Sequence, residues 1–104
     1  MKINKKLAQL LKLLYHSQSD GIPFPTEKLL GDWTDAQPGQ RVIATFTDPY
    51  RVEYGILMML PGIKNILGGI VHVPNSIKRP GQQVWYILKY LAIFAEQIEL
   101  EPLL

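Results

Sequence analysis

His16 and His72 are the two histidines of the chain, and it has no cysteine. That combination removes disulfides, thiolate zinc sites, iron–sulfur ligation and cysteine catalysis from consideration. The two histidines stand far apart in sequence, with no HExxH and no His-x-His pattern around them. A metal centre would need several ligands converging from distant segments, which spacing alone does not support. His16 falls near the end of an apparent helix, where a cation is favoured, and His72 falls inside an apolar run that reads as a strand. Ser17, Ser19 and Ser76 are the serines, and none sits in G-x-S-x-G. His16 and Ser17 are adjacent on a helix and diverge by about 100°, so they do not form a catalytic pair. Asp32 and Asp35 lie three apart and Asp48 precedes a proline. Such carboxylates can do acid–base work, but in a Gly- and Pro-rich stretch they cap turns by accepting bonds from nearby amides. No phosphate-cradling glycine loop of the G-x-x-x-x-G-K-[ST] or G-x-G-x-x-G kind is present. The sequence therefore assigns no catalytic residue, metal ligand or cofactor, infers no small-molecule substrate, and predicts a protein that is not an enzyme. The enzymatic alternative is a small enzyme, or an accessory enzyme subunit, with a polar pocket that no motif reveals.

The charged residues carry a second possibility. Eleven Lys and Arg against nine Asp and Glu give a net charge of +2, too little for a general nucleic-acid wrapper. The charge is segregated, however. The first 19 residues hold four lysines and no acid, no acidic residue falls between Glu53 and Glu96, and Glu96, Glu99 and Glu101 make the end acidic. Lys5, Lys12, Arg41, Arg51, Lys78 and Arg79 are the side chains that phosphate contact would use, with Tyr50 and Tyr54 able to stack on bases. Nucleic-acid binding or a regulatory role through these patches is the second reading.

The elements that must position these groups follow from periodicity. Residues 3–19 carry Ile3, Leu7, Leu10, Leu11 and Leu14 on one helical face, with lysines opposite, Asn4 as N-cap, and Asp20-Gly21 as the stop. Residues 20–40 read as loop, with a short helical turn capped by Thr26. Phe24, Leu29, Leu30 and Trp33 are too apolar for a free linker and fold back on the core. Alternation over 41–47 and again over 51–60, around Asp48-Pro49-Tyr50, predicts a hairpin, with a helix over 49–60 opened by Asp48-Pro49 as the alternative. Pro61-Gly62 closes its second strand. Residues 63–67 form a helical turn ended by Gly68-Gly69, and residues 70–73 form a third strand.

Residues 82–99 read as one long helix, because Val84, Ile87, Leu88, Leu91, Ala92, Ala95 and Ile98 recur at helical spacing. That helix is apolar almost all round until Glu96, more than 104 residues can wrap. Trp85, Tyr86, Lys89, Ile93 and Phe94 are accordingly expected to form a protein interface. The predicted architecture is a single α+β domain over 1–104. In it a small, three-stranded, mostly antiparallel sheet packs against an N-terminal helix and a long C-terminal helix. The predicted function is a non-enzymatic interaction, structural or adaptor module, a homo-oligomer or a unit docked to a larger protein. The Pro and Gly residues within 54–73 argue for buried core rather than a membrane span, Lys12 breaks any signal-peptide core, and the expected location is cytoplasmic.

Overall fold

The computed structural model describes residues 5–59 and 68–103. The expected Asn4 cap, the Pro61-Gly62 closure and the helical turn over 63–67 lie outside the described residues. Helix α1 (Lys5–Ser19) forms as its apolar stripe predicts. Leu14 is buried, Leu10 and Leu11 are half-buried, and Lys5 and Lys12 are exposed. Gly21 ends the helical segment at φ +77, in the left-handed region that glycine adopts without steric cost. The turn after it is a 3-10 helix, Thr26–Lys28, but no side chain caps it, Thr26 included. It leads into a two-residue strand, β1 (Leu29–Leu30).

The hairpin is present as β2 (Arg41–Thr47) and β3 (Tyr50–Met59), paired from Arg41↔Ile56 to Thr47↔Tyr50 around a cis Asp48–Pro49 peptide. Strand β4 (Gly69–Val73) follows, so the 54–73 segment supplies two sheet strands where it is described. No helix among the described residues is long and apolar enough to cross a membrane.

The rest of the expected architecture is overturned. The sheet is mixed and has six strands, in the order β1-β6-β2-β3-β4-β5. The segment read as one long helix is β5 (Val84–Ile87), a seven-residue α2 (Leu88–Phe94) and β6 (Gln97–Leu100). β5 adds to β4 antiparallel, while β6 pairs antiparallel with β2 and parallel with β1. Near-continuous apolar sequence suits a buried strand as well as a helix, so helical spacing did not discriminate. The extended backbone at Ala95, ψ 156, ends the helix. Lys28 Nζ fixes that end from outside by donating to the carbonyls of Ile93 and Ala95, both at 2.9 Å, where a cation also opposes the helix dipole.

The two faces of the sheet differ. One face carries Val42, Ala44, Leu57, Val71, Val73, Ile98 and Leu100, and it packs with Leu88, Leu91 and Ala92 of α2 into the main core. On the other face Ile70 and Ile87 are buried at the β4–β5 end, and α1 packs against edge strand β5. The core face is tight at Gly55, where an added Cβ would collide with Val71 Cγ1 and stand 3.2 Å from Val73 Cγ2. Neither β-branched neighbour can turn away cheaply in a packed interior. Gly55→Ala is therefore expected to destabilise the fold by about 1–3 kcal/mol, the usual range for overpacking. Urea unfolding checks this, and a midpoint equal to wild type would refute it.

Candidate functional site

Glu53 organises the side of the molecule with the richest chemistry. It lies on β3 and points into the core face, 1% exposed. Its Oε1 accepts from Ser76 Oγ at 3.1 Å and from the backbone N–H of Lys78 at 3.4 Å, while Oε2 accepts from the N–H of Ile77 at 3.3 Å. Arg51, two residues earlier on the same face, brings Nε to 3.6 Å from Oε1. A carboxylate buried this deeply requires such partners, since desolvation of an uncompensated charge is costly. The loop after β4 is thus pinned to β3, and Lys78 is placed beside Arg51.

The Arg51 guanidinium stacks on the Phe46 ring, 3.8 Å from its centroid. The stack follows from register, because Phe46 and Arg51 are direct partners across the hairpin. Arg51 Nε is buried and has no hydrogen-bond acceptor among the described residues. These residues border a pocket of about 250 Å³ beside α2, lined by Phe46, Arg51, Lys78, Tyr86, Tyr90, Leu91 and Phe94. Tyr90 and Phe94, one helical turn apart on α2, form its wall on that side.

A polar clasp holds α2 to the end of α1. Lys89 Nζ donates to the Ser17 carbonyl and, at 2.6 Å, to Asp20 Oδ1, and Tyr90 Oη donates to Asp20 Oδ2 at 2.9 Å. The Lys89 bond, joined by the Ile22 N–H, holds the Asp20 carboxyl at about 2, below its ordinary 3.8. The same Asp20 bond pushes the Tyr90 phenol up.

The second notable surface is the opposite sheet face. The apolar alternation of β3, Val52, Tyr54, Ile56 and Met58, points here, whereas Arg51, Glu53, Gly55 and Leu57 point to the core. Tyr54 is 50% exposed, Ile56 38% and Met58 40%. Arg41 lies over the Tyr54 ring at 4.5 Å and 3.9 Å from Glu101.

The structure does not gather the five expected interface residues on one surface. Trp85 stacks on His72 on the second face at 4.2 Å, Tyr86 points to the core face, and Lys89 is buried in the clasp. Ile93 is half-buried and Phe94 is exposed at the pocket mouth. The six basic candidates are divided as well. Lys5 and Lys12 stand on α1, Arg41 on the open face, Arg51 and Lys78 in the pocket, and Arg79 in a groove with Leu10, Leu13 and Trp85. What the fold does bring together is one pair from each set, Tyr86 and Phe94 with Arg51 and Lys78. Phe46, Glu53 and Tyr90 were not anticipated. For Glu53 the signal was available, as the one acid in a mostly apolar strand.

Among the described residues no three His, Asp or Glu side chains are grouped to hold a metal. Compared with protein families, curated proteins and solved structures, the chain matches none. The domain is a small compact α+β unit.

Two outcomes follow from these polar networks. Glu53→Ala strands the Ser76 hydroxyl, two backbone amides and a cation, and is expected to cost about 3–5 kcal/mol in denaturant unfolding; a loss below about 1 kcal/mol would contradict the role given to this carboxylate. Because the folded pKa of Asp20 is depressed, its contribution is fully present above about 4 and disappears as pH falls through about 2. Thermal melts from pH 5 to pH 2 should therefore fall less steeply for Asp20→Asn than for wild type, and parallel slopes would rule out the clasp as an acid-sensitive element.

Proposed function

We propose that the protein is a non-catalytic interaction module that pairs with a second copy of itself through the open face of β2 and β3. The observation supporting this is the inverted pattern of β3. A half-solvated strand ordinarily turns its apolar alternate residues to the core and its charged ones to water. Here Glu53 and Arg51 face inward, and Tyr54, Ile56 and Met58 face outward. Contiguous apolar surface of this kind marks an interaction site.

The charges around the strip favour a second copy over a partner of one sign. Arg41 lies beside Tyr54 and Glu101, and Glu99 shares the face by its register with Ile43. A two-fold arrangement sets each copy's Arg41 against the other copy's acids, which makes the surface self-complementary. Two such faces would stack about 10 Å apart as a sandwich. Across β6, β2 and β3 the strip is roughly 15 Å by 25 Å from ordinary strand spacing and rise. That flat area is about half the ~800 Å² per partner of a standard interface, so the pairing is weak and concentration-dependent.

Sedimentation velocity from micromolar to millimolar protein tests this reading. Wild type is expected to shift toward a dimer at the high end, while Tyr54→Glu and Ile56→Glu, both at exposed positions, remain monomeric with unchanged circular dichroism. A wild type that is monomeric throughout, or variants that associate as wild type does, would overturn the proposal.

A further inference from the structure

We propose that the pocket between α2 and the far end of the β2–β3 hairpin binds a small organic anion, with a carboxylate or phosphate head and a flat apolar body. The site lies on the core side of the sheet, away from the open face, and the argument for it is independent of self-association.

The charge of the site supports the head group. Two cations, Arg51 and Lys78, border a volume otherwise lined by Phe46, Tyr86, Tyr90, Leu91 and Phe94. The nearby acids are already engaged. Glu53 accepts from Ser76 and two backbone amides, and Asp20 is paired with Lys89. Arg51 Nε shares the Glu53 charge at 3.6 Å, but it is buried and has no hydrogen-bond acceptor among the described residues, although nearly all buried donors in folded proteins have one. The Lys78 side chain makes no ion pair with the described residues and is exposed at the rim. A guanidinium and an ammonium lining one largely apolar pocket attract an anion more strongly than they would in open water.

The walls support the body. The face of Phe46 that the guanidinium covers is fixed by strand register, so Arg51 is held in place before any ligand arrives. Such preorganisation lowers the entropic cost of binding. Phe94 is 78% exposed at the mouth, an apolar ring that a flat ligand would cover. At about 250 Å³ the pocket falls just below the ~300–1,000 Å³ of sites for drug-sized ligands, a size suited to a molecule of about one ring.

Titration of the full chain with benzoate, phenyl phosphate, inorganic phosphate and neutral benzyl alcohol, followed by amide and aromatic NMR shifts, tests the proposal. Either aromatic anion is expected to saturate at millimolar concentration or below and to move the signals of Tyr86, Tyr90 and Phe94. Inorganic phosphate and benzyl alcohol should each bind at least about tenfold more weakly, the first lacking the body and the second the charge. Lys78→Glu and Phe94→Ala both alter exposed side chains, so the fold is retained. Each is expected to weaken the aromatic anions roughly tenfold, while Ile56→Glu on the opposite face leaves them unchanged. The inference fails if neither aromatic anion binds, if benzyl alcohol binds as well as benzoate, if inorganic phosphate binds as well as phenyl phosphate, or if Lys78→Glu has no effect.

Discussion

A carboxylate removed from water and held by fixed donors sets the arrangement of one whole side of this domain. Glu53 occupies a position on the core face of a central strand that an aliphatic residue would ordinarily fill, and it draws Ser76, Ile77 and Lys78 inward as hydrogen-bond donors. The long connection between β4 and β5 therefore lies against the sheet. Arg51 accompanies Glu53 on the same face of the same strand, where its charge compensates and its guanidinium stacks on Phe46. The pocket lies beside this network, with Arg51 and Lys78 lining it together with Tyr90, Leu91 and Phe94 of α2.

Placing Arg51 and Glu53 inward has its counterpart on the other face. Side chains alternate along a strand, so a hairpin that turns Arg51 and Glu53 toward the core must turn Val52 and Tyr54 away from it. Main core and open apolar surface are thus two sides of one register. α1 packs at the β5 edge, and Tyr54, Ile56 and Met58 of the middle of the sheet are exposed. An apolar surface left in this way is consistent with association, and the two signs of charge around it are consistent with a copy of the same chain.

Charged residues from the N-terminal third define both ends of α2. Asp20 holds Lys89 and Tyr90 near its start, and Lys28 donates to the carbonyls of Ile93 and Ala95 at its end. A seven-residue helix has little stability of its own, since nucleation is costly and few bonds repay it. These long-range contacts, together with burial of Leu88, Leu91 and Ala92, keep it helical between two strands.

The local signals in the sequence were sufficient where one element answered one pattern. The apolar stripe of Leu10, Leu11 and Leu14 specified α1, Asp20-Gly21 its end, and two alternating runs around Asp48-Pro49 the hairpin. The anchors Tyr86 and Phe94 and the bases Arg51 and Lys78 were visible as residue types, but not as neighbours. Residues 82–99 failed because strands and helix there share one apolar composition, so no periodicity separates them. The tertiary structure decided that segment through partners far away in sequence: β4 for Val84–Ile87, β2 for Gln97–Leu100, and Lys28 for the break at Ala95. It also decided which face of β3 met the core, because a strand's alternation defines two faces and only packing against α2 chooses between them.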